Sequence, residues 1–130
     1  MARGYYRKRG EDTEQEQVIS WANWQLREYP ALKWLHHIPN GGKRNTAEAA
    51  RFKAQGVKAG VSDLFLPAAR GGYFGLYIEM KYGKNKPTEK QEEFIADMQN
   101  AGYKATVAYS ADEAIEILQE YLQEPETKTV

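Results

Sequence analysis

Two strand-like runs, each carrying a charged group, constrain this chain more than any other feature. They are Gly60-Val61-Ser62-Asp63-Leu64-Phe65-Leu66 and Gly75-Leu76-Tyr77-Ile78-Glu79-Met80-Lys81. Pro67 and the pair Gly71-Gly72 lie between them and break any regular element. Two short apolar runs separated by such a loop predict an antiparallel hairpin, with strands at Leu64 to Leu66 and Phe74 to Met80. Side chains two residues apart in a strand share a face. Glu79 and Lys81 therefore point to one side, and Ile78 and Met80 to the other. A hairpin turning around Arg70 to Gly72 brings Asp63 beside Glu79.

The remaining punctuation extends the pattern in both directions. Thr13 with Glu16 three residues on has the form of a capping box, so a first helix is expected near Thr13. Glu14, Val18, Trp21 and Gln25 share one face of it, and it should end by Tyr29-Pro30. Lys33 to Ile38 reads as a short strand, and Pro39-Asn40-Gly41-Gly42 as a turn. Asn45 caps a second helix to about Gln55, with Gly56 as its left-handed terminus. After the hairpin, Thr88 with Gln91 caps a third helix, whose stripe is Phe94, Ile95, Met98 and Ala101. Gly102 ends that helix, and Tyr103 to Tyr109 forms a strand. Ser110 with Glu113 caps the last helix, which turns Ala114, Ile115, Leu118, Tyr121 and Leu122 to the core. Pro125 stops it, and the tail is expected to fray. The order is α-β-α-β-β-α-β-α. Late helix–strand crossovers favour an α/β fold, a mixed central sheet flanked by helices. The expected organisation is a basic arm over residues 1–12, one domain over 13–123 and a tail over 124–130. Trp21, Trp24 and Trp34 read as core aromatics.

A chain of 130 residues with 42% hydrophobic content suits one domain with one core. It has no cysteine, which removes disulfides, zinc–thiolate sites and thiol nucleophiles. No apolar run approaches a membrane span and no secretory leader pattern is visible, so a cytoplasmic protein is expected. The net charge is zero, but its distribution is uneven. Residues 43–104 hold eleven Lys and Arg against seven Asp and Glu, whereas residues 105–130 hold one against six. The middle of the chain thus suits a phosphate-facing surface, as well as an ordinary mixed one. Lys43, Arg44, Arg51, Lys53 and Lys58 form a candidate backbone-contact set, with Asn40 in the adjacent turn.

Two carboxylates and a lysine at strand ends form a hard oxygen-donor set of the kind that suits Mg²⁺ or Mn²⁺. The triplet alone is weak: 18 acids and 11 lysines in 130 residues should yield about one or two acid-x-Lys triplets by chance. A second one, Glu126-Thr127-Lys128, does lie in the polar tail. It has no strand, no upstream Asp and no core around it. A surface ion pair explains Asp63, Glu79 and Lys81 as readily as a metal site does.

The longer run of motifs resembles the PD-(D/E)xK nuclease superfamily and, more narrowly, the stand-alone VRR-NUC domains of phages and bacteria. The matching stretches are His37-Ile38-Pro39-Asn40-Gly41-Gly42, then Ala54 to Leu64, then Ile78-Glu79-Met80-Lys81, Gln91, Gly102-Tyr103 and the helix around Ala114. The match runs from about Glu14 to Leu122. One departure is that Ser62 stands where the superfamily pattern has proline. The resemblance implies a restriction-endonuclease-like sheet and Mg²⁺-dependent hydrolysis of DNA phosphodiesters, with Mn²⁺ as a substitute ion. It implies that Asp63, Glu79 and the Met80 main-chain carbonyl hold the metal, that Lys81 orients or activates water, and that Gln91 sits near the site. An acid from the first helix completes the family's set; Glu14 is favoured over Glu16, which Thr13 explains locally. Gln91 has its own local explanation as the capping partner of Thr88. Asn40, Lys43, Arg44, Lys53 and Lys58 are then expected to contact DNA. The family further implies a preference for branched DNA such as four-way junctions, a homodimer, and a bacterial host cytoplasm for a phage-encoded member.

Two rivals remain at this level. One is a non-catalytic nucleic-acid-binding module that kept the nuclease fold. The other is a histidine-centred nuclease built on His36, His37 and Asn40, of which His37 would be the general base.

Overall fold

The computed structural model describes residues 10–39 and 45–128. The arm over residues 1–9 and the turn residues Asn40, Lys43 and Arg44 lie outside that range. In chain order the elements are α1 (Glu11–Trp24), a 3-10 helix (Pro30–Trp34), β1 (His36–His37), α2 (Thr46–Ala54), β2 (Leu64–Leu66), β3 (Leu76–Met80), α3 (Glu89–Asn100), β4 (Lys104–Ala108) and α4 (Ala111–Gln123). The four strands form one mixed sheet in the order β1-β2-β3-β4. β2 and β3 pair antiparallel, with Leu64 opposite Ile78, Phe65 opposite Tyr77 and Leu66 opposite Leu76. β4 joins β3 in parallel after the α3 crossover.

The alternation of β2 and β3 divides the protein into two layers. Leu64, Leu66, Leu76, Ile78 and Met80 pack with Val18 and Ala22 of α1 and with Ala114, Leu118 and Tyr121 of α4. The other face carries aromatic rings instead. Phe65 stacks on Tyr77 at 4.3 Å between centroids, and Tyr77 meets the edge of Phe94 from α3 at 5.0 Å. Helices therefore cover both faces, α1 and α4 on one and α3 on the other, as the crossover pattern predicts.

Most caps follow the sequence. The Asn45 side chain accepts from Glu48 N–H at 2.8 Å, and Gly56 takes the left-handed conformation at φ 98°. Thr88 and Gln91 exchange two hydrogen bonds in a full capping box. Ser110 Oγ accepts from Glu113 N–H, while Glu113 Oε1 accepts from Tyr109 N–H rather than from Ser110.

Four expectations need correction. First, the cap of α1 is Gly10, not Thr13; Thr13 stands three residues inside, where its hydroxyl accepts from Gly10 N–H at 2.9 Å. Second, Lys33 to Ile38 is not one strand: Pro30 starts a 3-10 turn that takes in Lys33 and Trp34, and His36 and His37 alone of this stretch form a strand, paired with β2. Proline at the first position of a helix loses no hydrogen bond, which explains the turn. Third, Trp24 and Trp34 are exposed, at 83% and 63%, and only Trp21 packs on the core. The buried stripe of α1 runs through Glu14, Val18 and Ala22, and Trp24 lies about 200° around the helix from Ala22. Fourth, the segment after α4 is pinned as far as Thr127. Gly71 N–H donates to Pro125 O at 2.8 Å, and the Thr127 hydroxyl to Tyr73 O at 2.6 Å.

Candidate active site

Register places the two carboxylates. Leu64 pairs with Ile78 at the end of the β2–β3 ladder; the same register, extended by one residue, sets Asp63 opposite Glu79 on the aromatic, α3-facing side of the sheet. Asp63 Oδ2 accepts a hydrogen bond from Met80 N–H at 2.7 Å. The Asp63 carbonyl accepts from Ile38 N–H at 2.9 Å and lies 2.8 Å from His37 Nδ1. Side chain and backbone of Asp63 are thus both fixed, one by β3 and one by the β1 end.

Lys81 continues the same face two residues after Glu79. Its Nζ lies 3.5 Å from Glu79 Oε2, and its N–H donates to Ala108 O at 2.8 Å, which extends the β3–β4 pairing past Met80. Glu79 and Lys81 are 1% and 7% exposed. Glu79 Oε1 is buried and has no hydrogen-bond partner among the described residues. Burial first, and the Asp63 charge second, push the Glu79 carboxyl up to about 8, against the opposing pull of Lys81. A buried carboxylate with one orphaned oxygen, facing a second carboxylate, is costly as it stands. A divalent cation would offset the repulsion and give that oxygen a partner. The donor set therefore fits the Mg²⁺ or Mn²⁺ expected from the sequence.

The other expected residues fall into three groups. Glu14 is 1% exposed, but its Oε1 accepts from Ala111 N–H at 3.0 Å, at the start of α4. Among the described residues no three His, Cys, Asp or Glu side chains gather closely enough to hold one ion. The acids on the sheet are therefore a pair. The other helix candidate, Glu16, is exposed. The Gln91 side-chain oxygen accepts from Thr88 N–H at 2.9 Å, so the capping role is realised. Lys53 and Lys58 are exposed, on α2 and just after it. Asn40, Lys43 and Arg44 lie outside the described residues.

The two histidines divide as alternation requires. His36 Nδ1 lies 2.8 Å from Trp34 O, with its ring edge-on to Phe65. His37 supports the Asp63 carbonyl. Ser62, at the position where the superfamily pattern has proline, is fully buried with its Oγ unpartnered.

Sequence reasoning missed Gly60. It takes φ +92°, and a Cβ there would stand 2.6 Å from Lys90 O. The segment that delivers Asp63 thus lies directly against the first turn of α3, and only glycine permits that approach. The signal was a glycine three residues before the carboxylate, read as a boundary of the strand and not as a contact.

No helix among the described residues is long and apolar enough to cross a membrane. In a family comparison, the VRR-NUC domain matches residues 8–112. A solved structure described as a "VRR_NUC domain protein" is similar to this chain, with 36% identity, 93% of this chain and 94% of that one covered, and a TM-score of 0.76. Among curated proteins, none matches the sequence.

Proposed function

The chain belongs to the VRR-NUC domain family, a nuclease-type domain, and on that premise we propose that it is a metal-dependent endonuclease that hydrolyses DNA phosphodiesters. The observation that carries the reading is the Asp63–Glu79 pair, with Lys81 beside it on one face. A buried Glu79 facing the half-buried Asp63 is an arrangement that costs stability and is expected where chemistry requires it. Asp63, Glu79 and the Met80 carbonyl would hold the ion. When bound, the ion supplies Lewis-acid polarisation of the phosphate and makes water a stronger nucleophile.

The protein's own groups supply the rest. Asp63 is aimed by Met80 N–H, so its position is set before substrate arrives. Lys81 keeps one contact to Glu79 Oε2; an ammonium has three donors, which leaves others to orient the attacking water and to offset negative charge developing on the phosphate. His37 holds the backbone of Asp63 and takes no proton in this scheme. Gln91, its side-chain oxygen committed to the cap of α3, contributes through its amide group at most. Glu14 Oε1 accepts from Ala111 N–H and so ties α1 to the start of α4. Stand-alone domains of this kind suit branched DNA. Two cuts on a two-fold junction call for two copies of the chain.

The test is cleavage of labelled four-way, flap and linear DNA with Mg²⁺ by the wild type, Asp63→Ala, Lys81→Ala and His37→Ala. Activity should vanish with the first two substitutions and survive the third in part. Full activity in Asp63→Ala would sink the reading, and total loss in His37→Ala alone would favour the histidine-centred chemistry.

A further inference from the structure

A second surface feature lies on the segment that leads into Asp63. α2 buries none of its residues, yet Phe52 on it and Val57 just beyond it are half-buried, and Val57 N–H donates to Phe52 O at 2.9 Å. A groove of about 400 Å³ is lined by the half-buried Phe52 and Val57, its apolar floor, and by the exposed Ala59, Lys53, Lys58 and Lys90, its rim. Among the described residues no carboxylate lines it. That volume falls in the roughly 300–1,000 Å³ range of sites that enclose a small molecule.

We infer that this groove takes an unpaired nucleotide of the substrate: the base enters against Phe52 and Val57, and the flanking phosphates meet Lys53, Lys58 and Lys90. The inference rests on the nuclease reading and adds a substrate feature to it, single-stranded character next to the cut. Three observations support this occupant. An aromatic floor under a cationic rim is the combination that holds single strands, because every base has a face to stack and every nucleotide a charge to pair. A paired duplex would need only the lysines and would leave the apolar floor wet. Lys90 lies in the first turn of α3, where the helix dipole adds to its positive charge.

Position ties the groove to the chemistry. Lys58 and Asp63 are five residues apart, so they are separated by at most about 17 Å at roughly 3.4 Å per residue. That is within about five base steps of a single strand in B-form DNA. The close approach of Gly60 to the Lys90 backbone sets the rim beside the Asp63 segment. An unpaired nucleotide seated here would therefore set which phosphate reaches Asp63 and Glu79.

The experiment is binding without cleavage, by fluorescence anisotropy in EDTA, so its outcome is independent of catalysis. The probes are a labelled single-stranded 15-mer, a blunt duplex, and a duplex with a three-nucleotide flap. Lys53→Gln/Lys58→Gln/Lys90→Gln should weaken single-strand and flap binding at least ten-fold, and should lower the single-strand salt slope by about 2. Phe52→Leu keeps the apolar contact of α2 but removes the ring. It should abolish the preference for flap over duplex and the photocrosslink to 5-iodouracil placed in the flap, while duplex binding stays unchanged. Equal loss on duplex and single strand in the lysine variant, with no effect of Phe52→Leu, would overturn the inference and leave a phosphate patch. It would equally fail if the lysine variant keeps its single-strand affinity but loses a homodimer in light scattering, since the groove would then seat a second copy.

Discussion

Asp63 stands opposite Glu79 at the end of the β2–β3 ladder, and its Oδ2 receives the N–H of the residue that follows Glu79. One carboxylate is thus aimed by the strand that carries the other. Glu79 has lost solvent, faces a like charge, and has Lys81 Nζ at 3.5 Å as a counter-ion. A cation between the two carboxylates would relieve that repulsion, and the stability of the metal-free protein should record the strain.

The pH dependence of stability follows from that strain. Glu79 titrates near 8 in the folded protein, against an ordinary 4.5. Between those values the native state keeps a proton that the unfolded chain has released. Stability contributed by the protonated form is whole below the lower value and is lost as pH rises toward the upper one. Glu79→Gln removes that loss. In chelator, the unfolding free energy of the variant relative to wild type, from urea titrations, should climb from pH 5 to pH 8, by at most about 1.4 kcal/mol per pH unit. Parallel profiles would show that Glu79 is not strained.

Gly60 should be harder to replace than Gly56, although both have positive φ. At Gly56 a Cβ would meet nothing within 4 Å, so Gly56→Ala costs only the backbone term, about 1 kcal/mol. At Gly60 the Cβ would lie 2.6 Å from a backbone oxygen, Lys90 O. Gly60→Ala should therefore cost clearly more than Gly56→Ala in denaturant titrations, and should also lower cleavage, because the Asp63 segment must move. Equal costs would show that the contact with α3 is soft.

Glu14 offers a test of cap against ligand. Its Oε1 accepts from the buried Ala111 N–H. Glu14→Gln retains a carbonyl oxygen for that bond, whereas Glu14→Ala leaves the N–H buried and unpaired, at a cost of about 1–3 kcal/mol. Thermal unfolding should place the Gln variant well above the Ala variant. Mn²⁺ affinity, read by calorimetry, should be nearly unchanged in the Gln variant; a drop of ten-fold or more would put Glu14 on the metal.

Trp24 is 83% exposed and Trp34 63%. Iodide should quench most of the tryptophan emission that these two residues contribute. Trp24→Phe should remove the largest quenchable fraction and change stability by no more than about 0.5 kcal/mol. A large loss of stability would mean that the ring is buried in solution, against a partner or a second copy.

Much of the site was legible because its determinants are local. The strand period puts Glu79 and Lys81 on one face whatever surrounds them, and Pro67 with Gly71-Gly72 leaves a hairpin as the economical way to join two short apolar runs. Capping residues Asn45, Thr88 and Ser110 mark helix starts because their side-chain oxygens fill orphan N–H groups within a few residues. Where two local solutions compete, the sequence is a poorer guide. Thr13 reads as a cap but serves as the inner partner of Gly10. Lys33 to Ile38 alternates enough to pass for a strand, yet Pro30 closes a 3-10 turn first.

Residue types and spacing alone settle the hairpin, the shared face of Glu79 and Lys81, most of the helix caps and the α/β plan, since each depends on groups a few positions apart. Packing between distant segments decides the rest. Only the approach of α1 to α4 shows that Glu14 meets Ala111, 97 positions away. Only the sheet shows that Asp63 is held by Met80 and His37, and only the fit of Gly60 against Lys90 shows how the loop is seated. Burial has the same origin: Trp21 packs against the core and Trp24 faces water on one helix because the sheet lies on one side of it. Desolvation by that same packing turns three common residues into a strained acid pair with a buried lysine.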